Sequence, residues 1–98
     1  MERKPFNVVA VGGTFDKLHR GHKELLRTAF KIGRRVIIGL TSDEMVAQSK
    51  GCDNIDNFFK RKECLEKWIK EEGLHEMAEH EIVMINDIYG TAIYDDRL

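Results

Sequence analysis

Hydrophobic residues along this chain fall into two patterns, short continuous apolar runs and longer stretches with helical spacing. Apolar runs occupy residues 6–11 (FNVVAV), 35–40 (RVIIGL) and 80–85 (HEIVMI). They are short and rich in β-branched residues, which is typical of strands buried on both faces. The sequence therefore predicts three strands, the first of which ends at a tight turn at Gly12-Gly13.

Two stretches between these runs carry apolar residues at three- and four-residue steps, which predicts amphipathic helices. The first covers residues 22–32, and the second follows Asn57, a good N-cap residue. Gly33 and Gly73 are the expected helix stops. A short helix is expected after Thr41-Ser42-Asp43, and a loop at residues 49–57. The inward positions are Leu25, Leu26, Ala29 and Ile32 in the first helix and Phe58, Leu65, Trp68 and Ile69 in the second.

The order strand, helix, strand, helix, strand with short links predicts an α/β fold with a Rossmann-like doubly wound parallel sheet. We interpret residues 1–98 as a single domain. Ligands of such sheets bind beyond the carboxyl ends of the strands, which places the expected site at residues 12–22 and 41–42. After Asn86 the chain becomes loop-like, so the predicted sheet has three strands and we expect it to be incomplete at the C-terminus.

Charge and composition narrow the possible partners. The 98 residues hold 16 Lys and Arg against 17 Asp and Glu, so nothing global attracts the chain to nucleic acid or to an anionic membrane. Neither a signal peptide nor a membrane span is visible, and we expect a cytoplasmic protein. Cys52 and Cys64 fit no disulfide framework and no metal-ligand spacing, so we interpret both as reduced thiols and predict no metal-ligating residue.

The segment VGGTFDKLHRGH at residues 11–22 carries the candidate chemistry. Glycines after a strand let backbone N–H groups approach a phosphate, and a helix N-terminus adds free donors and positive partial charge. His19 and His22 are expected to face one phosphate-sized gap, with Gly21 leaving room for a ligand. The segment has neither the Walker A spacing nor G-x-G-x-x-G, which argues against P-loop NTPases and NAD enzymes.

The combination G-G-T-F-D followed by H-x-G-H resembles the signature of the nucleotidyltransferase superfamily. Residues 38–46 (IGLTSDEMV) and the Tyr89-Gly90 turn are similar in particular to archaeal and eukaryotic-type phosphopantetheine adenylyltransferases. The resemblance implies adenylyl transfer from ATP to 4′-phosphopantetheine, giving dephospho-coenzyme A and pyrophosphate. It also implies direct attack without a covalent enzyme intermediate, with a Mg²⁺ ion accompanying the ATP.

The same resemblance assigns the site residues. Thr14, His19 and His22 are the expected catalytic residues. Lys50 and Arg61 are expected to bind the acceptor phosphate; Arg61 lies on an apolar helical stripe, an odd position for a charge unless it reaches a phosphate or an acidic partner. The expected nucleotide-binding residues are Gly12, Gly13, Thr14, Phe15, His19, Gly21 and His22.

Alternatives remain open at this point. Family members carry a later Ser/Thr-rich motif that binds the β and γ phosphates, and these 98 residues lack it. The chain is then either the N-terminal portion of the domain or a non-catalytic nucleotide-binding module; cytidylyl transfer and FAD synthesis are alternatives within the superfamily. Thr14 and Asp16 could be plain turn residues, and the two motif histidines a cap and a core residue. Phe58, Phe59 and Trp68 are expected to pack rather than stack on a base, and His75 and His80 to lie on the surface.

Overall fold

Three parallel strands and the helices that connect them make up the structure, a computed structural model that describes residues 4–47 and 55–86. The chain order alternates strand and helix, as the sequence predicts. The elements are β1 (Phe6–Gly13), α1 (Arg20–Ile32), β2 (Gly33–Thr41), α2 (Asp43–Ala47), α3 (Phe58–Glu71), a single 3-10 turn (Leu74–Glu76) and β3 (Glu79–Ile85).

The sheet has the strand order β1-β2-β3, and both neighbouring pairs are parallel. The register places Gly12 beside Gly39 and Ile38 beside Ile82. This confirms the α/β class with a parallel, Rossmann-like sheet. β1 runs further than its apolar run suggests, through Gly12 and Gly13, because backbone hydrogen bonds continue through glycine, which carries no apolar side chain to signal it.

The hydrophobic core lies on one face of the sheet. Val36, Ile38 and Leu40 alternate along β2 and are completely buried, so these three side chains share one face. Both α1 and α3 pack on that face, which makes one helical layer within the described residues. The helical contributors to the core are Leu26, Ala29 and Phe30 from α1 and Phe58, Leu65, Trp68 and Ile69 from α3.

The inward face of α1 is rotated from the prediction. Leu25, expected inward, is 47% exposed, whereas Phe30, which was not expected there, is completely buried. Successive helical residues differ by about 100° around the axis, so a face centred on Leu26 and Phe30 turns Leu25 outward. Phe59, expected to pack in the core or at its edge, is 75% exposed, and its ring meets that of the buried Phe58 edge to face at 5.5 Å between centroids.

The two glycines expected to stop helices do so in different ways. Gly73 has φ 74°, a left-handed conformation that suits glycine, and it follows the last residues of α3. Gly33 is extended and is also the first residue of β2, so α1 passes into the strand without a loop. A Cβ at Gly33 would lie 2.7 Å from Val9 Cγ2, and this close approach of β1 explains the glycine.

The expectation that His80 lies on the surface was wrong. Its side chain is only 17% exposed, and its Nε2 lies 2.8 Å from Glu66 Oε1. Its ring centroid lies 5.6 Å from that of Phe30. Position 80 pairs with Val36, whose side chain faces the helices, so the pleat turns His80 toward the helices too.

Lys4 ties together the end of the sheet where the strands begin. Its ammonium group donates to the carbonyls of Phe30 at 2.8 Å, Gly33 at 3.0 Å and Met77. A cation at this position also suits the C-terminal end of α1, whose carbonyls carry negative partial charge. The segments that follow β1 and β2 lie at the opposite end of the sheet, where the strands finish.

The crowding at Gly39 gives a test of the sheet. A Cβ there would lie 2.3 Å from Ile85 Cδ1 and 2.9 Å from Ile85 Cγ1. Gly→Ala at a compatible site stabilises a protein by about 0.4–1 kcal/mol, but overpacking costs about 1–3 kcal/mol. We expect Gly39→Ala to lower the free energy of unfolding, measured by urea denaturation. Adding Ile85→Val, which removes Cδ1, should recover part of the loss; an unchanged urea midpoint for Gly39→Ala would contradict the packing.

Candidate functional site

The carboxyl ends of β1 and β2 bring Thr14 and Thr41 together. Thr14 directly follows β1, Thr41 is the last residue of β2, and the Oγ1 of Thr41 donates to the Oγ1 of Thr14 at 3.1 Å. The two segments predicted to form the site, residues 12–22 and 41–42, therefore meet. This is the edge at which parallel α/β sheets bind ligands.

The loop between β1 and α1 holds two residues in a conformation that side chains rarely adopt. Phe15 has φ 49° and Lys17 has φ 48°, both in the left-handed region. The Phe15 side chain is buried, and its ring meets that of His22 edge to face at 5.2 Å between centroids. Such backbone persists where surrounding packing enforces it, and here the packing of Phe15 positions His22.

Asp16 fastens the same loop to the entry of α3. Its Oδ1 accepts a hydrogen bond from the Asp56 backbone N–H at 3.0 Å, and its Oδ2 accepts one from Lys17 Nζ at 2.9 Å. Burial raises the pKa of Asp16, but these hydrogen bonds and the charges of Lys17 and Arg61 outweigh it and leave the pKa below its usual value. This contact goes beyond the local turn role that the sequence suggested as one alternative for Asp16, because it joins two segments far apart in the chain.

The two motif histidines cap α1 reciprocally. His19 is the N-cap residue, and its Nδ1 accepts a hydrogen bond from Gly21 N–H at 3.0 Å. The His22 Nδ1 accepts a longer one, 3.5 Å, from His19 N–H. The rings stack with centroids 3.7 Å apart. Capping was the alternative to a functional role, but the two are compatible because the cap uses only Nδ1 of each ring.

This arrangement fixes where the ring protons lie. A nitrogen that accepts a hydrogen bond carries no proton, so the cap favours a proton on Nε2 of each neutral ring, more strongly for His19 at 3.0 Å than for His22 at 3.5 Å. Burial lowers the pKa of His22, the nearby His19 lowers it further, and Asp16 opposes the shift. The cap and the lowered pKa both favour a neutral His22 that donates through Nε2.

Electrostatics at the start of α1 suit an anion. The first turn of this 13-residue helix contains no acidic side chain, and exposed Arg20 is its first residue. Free backbone N–H groups and the helix dipole favour negative charge by about 0.3–1 kcal/mol at an exposed helix end. Among the described residues, no group of three or more His, Cys, Asp and Glu could hold a metal ion.

Gly21 serves the histidine cap directly. A Cβ at Gly21 would lie 3.0 Å from His19 Cε1 and 3.3 Å from His19 Nδ1. Its missing side chain therefore makes room for the His19 ring, whereas the sequence suggested room for a ligand. Gly12, by contrast, is exposed near the end of β1, and Gly13 is partly buried beside the Phe15 ring.

Arg61 lies beneath the site and has no exposed side-chain surface. Its guanidinium donates to the carbonyls of Asp56 at 2.8 Å and Thr14 at 3.1 Å, to Thr41 Oγ1 at 3.3 Å and to Asp43 Oδ1 at 3.0 Å. Direct binding of the acceptor phosphate does not fit this geometry, because the group is buried and already bonded to protein. Lys50, the other predicted acceptor-binding residue, lies outside the described residues.

Sequence reasoning missed the contacts of Asp43, which link α2 to α3. Its Oδ1 accepts from the Phe58 N–H at 2.7 Å, at the first residue of α3, as well as from Arg61. The neighbouring Ser42 is buried and caps α2 by accepting from Met45 N–H at 3.1 Å. A buried arginine on an apolar stripe requires an acidic partner. Asp43, which follows β2 in the sequence, was the signal that could have identified that partner.

Comparison with known proteins agrees with this geometry. Residues 10–95 match the model of a family described as cytidylyltransferase-like. The chain belongs to the cytidylyltransferase-like family. The match covers most of the chain, including both halves of the site, and the resemblance drawn from the motif residues is confirmed at the level of the family.

Several curated relatives of this family member are archaeal proteins named phosphopantetheine adenylyltransferase. The one from Methanopyrus kandleri is 40% identical over 93 residues, which cover 95% of the chain and 57% of the relative. Those from Methanothermobacter thermautotrophicus and Methanosarcina barkeri are 41% and 46% identical, over 98% and 90% of the chain but 54% and 53% of the relative. The chain spans about half the length of the curated relatives it matches. No described helix is long and apolar enough to cross a membrane.

The lowered pKa of His22 predicts how stability changes with pH. The unfolded chain takes up this proton near the ordinary histidine pKa of about 6.5, and the folded chain does so only at lower pH. The contribution of His22 is therefore complete above that value and is lost as pH falls toward the folded pKa. We expect the urea midpoint to decrease from pH 7 to pH 5.

His22→Gln is the matched control, because glutamine can accept the same capping hydrogen bond without titrating. Its urea midpoint should decrease less steeply over this range. Equal slopes for the two proteins would show that His22 binds its proton as readily in the folded chain as in the unfolded chain.

Proposed function

We propose that this chain is the phosphate-binding part of a phosphopantetheine adenylyltransferase. The reaction transfers the adenylyl group of ATP to 4′-phosphopantetheine and releases pyrophosphate, giving dephospho-coenzyme A. Relatives with this name that match nearly the whole chain support the choice of substrates. The observation that carries the proposal is the meeting of Thr14 with Thr41 beyond the ends of β1 and β2, on the loop that leads to the His19–His22 cap of α1.

The histidines act as preorganised donors. Their Nε2–H groups bind phosphate oxygens of ATP and stabilise the negative charge that develops on the α-phosphate. An oxygen of the 4′-phosphate attacks the α-phosphorus, a new P–O bond forms, and the bond from that phosphorus to the bridging oxygen breaks as pyrophosphate leaves. Positioning and electrostatics supply the rate enhancement, so no side chain needs to act as a nucleophile.

The other predicted residues shape this site. Thr14 contacts the phosphate near the reacting centre, and the backbone at Gly12 and Gly13 lets phosphates approach closely. The buried Phe15 ring packs edge to face against the His22 ring and holds it in position. Lys50 remains our candidate for the acceptor phosphate. Gly21 contributes to phosphate binding indirectly, because its missing side chain leaves room for the His19 ring.

Mg²⁺ belongs to the proposal as the ion that accompanies ATP. It would neutralise negative charge on the triphosphate. The expected partners are thus ATP and 4′-phosphopantetheine, in the cytoplasm. Cytidylyl transfer is the second candidate, and the description of the matching family favours it.

Turnover of the protein as its gene encodes it tests the proposal. We expect pyrophosphate release from ATP with 4′-phosphopantetheine, and His22→Ala should reduce kcat/KM by about 10²–10³-fold because it removes a transition-state donor. His75→Ala is the matched control, since this exposed histidine lies on the 3-10 turn, outside the site. Turnover with CTP and a phospho-alcohol instead would establish the second candidate.

Chelation tests the metal. Excess EDTA should abolish pyrophosphate release, and added Mg²⁺ should restore it, because the triphosphate reacts as its metal complex. Full activity in EDTA would remove Mg²⁺ from the proposal while leaving the roles of the histidines in place.

A further inference from the structure

Beneath the proposed phosphate site, a chain of hydrogen bonds runs from a buried cation to Thr14. Arg61 Nη1 lies 3.3 Å from Thr41 Oγ1, and Thr41 Oγ1 lies 3.1 Å from Thr14 Oγ1. Arg61 is 1% exposed, so this cation acts from inside the protein. The same Nη1 also donates to the Thr14 carbonyl at 3.1 Å. Arg61 therefore contacts the Thr14 backbone directly and the Thr14 hydroxyl through Thr41.

The direction of these bonds follows from the chemistry of the groups. A guanidinium has only donors, so Thr41 must accept from Arg61. The one hydroxyl proton of Thr41 then points away from the positive charge, toward Thr14. Thr14 Oγ1 accepts the hydrogen bond from Thr41, so the Thr14 hydroxyl proton remains to be donated to another acceptor. Successive hydroxyls aligned in this way polarise one another, which strengthens the last donor.

Arg61 sets the polarity of this chain of hydroxyls, because a guanidinium donates hydrogen bonds and accepts none. The rest of its bonding fixes its place. Asp43 Oδ1 and the Asp56 carbonyl hold the opposite side of the group, so Arg61 cannot turn toward the solvent without breaking both.

We propose that Arg61 and Thr41 are positioning residues that orient the Thr14 hydroxyl as a one-way donor to a phosphate oxygen. Arg61 thus acts on the phosphate through two hydroxyls, without touching it. This inference rests on the proposed function, because it names the ligand of Thr14 as a phosphate. It assigns Thr41 a role that the sequence did not suggest.

A double-mutant cycle on the complete protein tests the proposal, with kcat/KM for adenylyl transfer and the dissociation constant of ATP as readouts. Thr41→Val removes the relaying hydroxyl at nearly constant volume and should reduce kcat/KM by about tenfold, the size of one hydrogen bond. Thr41→Ser keeps a hydroxyl and should retain activity. In a Thr14→Val background, Thr41→Val should cause no further loss.

Thr28→Val is the matched control, because Thr28 is exposed on α1 and lies outside the network. Urea midpoints of all variants separate loss of fold from loss of function. If Thr41→Val fails to fold, Thr41→Cys repeats the comparison with a side chain of similar size and only a weak donor.

Two outcomes overturn the relay: Thr41→Val as active as Thr28→Val, or losses from Thr14→Val and Thr41→Val that multiply in the double variant. Either leaves the adenylyltransferase standing if His22→Ala still reduces kcat/KM by about 10²–10³-fold. If His22→Ala is also without effect, the proposed function itself fails. Serine rescue together with non-multiplying losses supports the relay, since a purely structural role would show neither.

Discussion

The buried guanidinium of Arg61 is the interaction on which the rest of the site depends. It holds the ends of β1 and β2, the start of α2 and the approach to α3 through four hydrogen bonds, to Asp56, Thr14, Thr41 and Asp43. A buried charge is tolerated only when such partners satisfy it, and removing one partner of a buried pair typically costs about 3–5 kcal/mol. The loop that carries the motif is therefore fixed from below, before any ligand arrives.

The reciprocal histidine cap is the second constraint, and it resolves a choice that the sequence left open. A cap and a ligand-binding role looked like competing interpretations of His19 and His22. Each imidazole has two nitrogens, and the structure commits Nδ1 to the helix end. The cap thereby sets the tautomer, and the proton on Nε2 is a consequence of helix formation, so local folding and the chemistry of the site depend on the same two rings.

Much of this could be predicted from the sequence, and the failures have clear physical causes. The three strands, their parallel order and the meeting of Thr14 with residues 41–42 follow from short apolar runs and helical spacing. The inward face of α1 was misplaced, because adjacent Leu25 and Leu26 fit the pattern equally well and only packing against the sheet decides between them. The helical pattern placed Arg61 on the inward stripe, but its partners lie 5 to 47 residues away in the chain, and no local pattern identifies them.

Trp68 gives the fold its own optical reporter. It is the single tryptophan of the chain, it is buried in the core, and the Arg27 guanidinium of α1 lies 5.5 Å from its ring centroid. Arg27 also pairs with Glu72 just beyond α3, so the indole sits where the two helices of the layer touch. Its fluorescence therefore registers the contact between α1 and α3 directly: separation of these helices exposes the indole to water and shifts its emission to longer wavelength, with no other indole of this chain contributing to the signal.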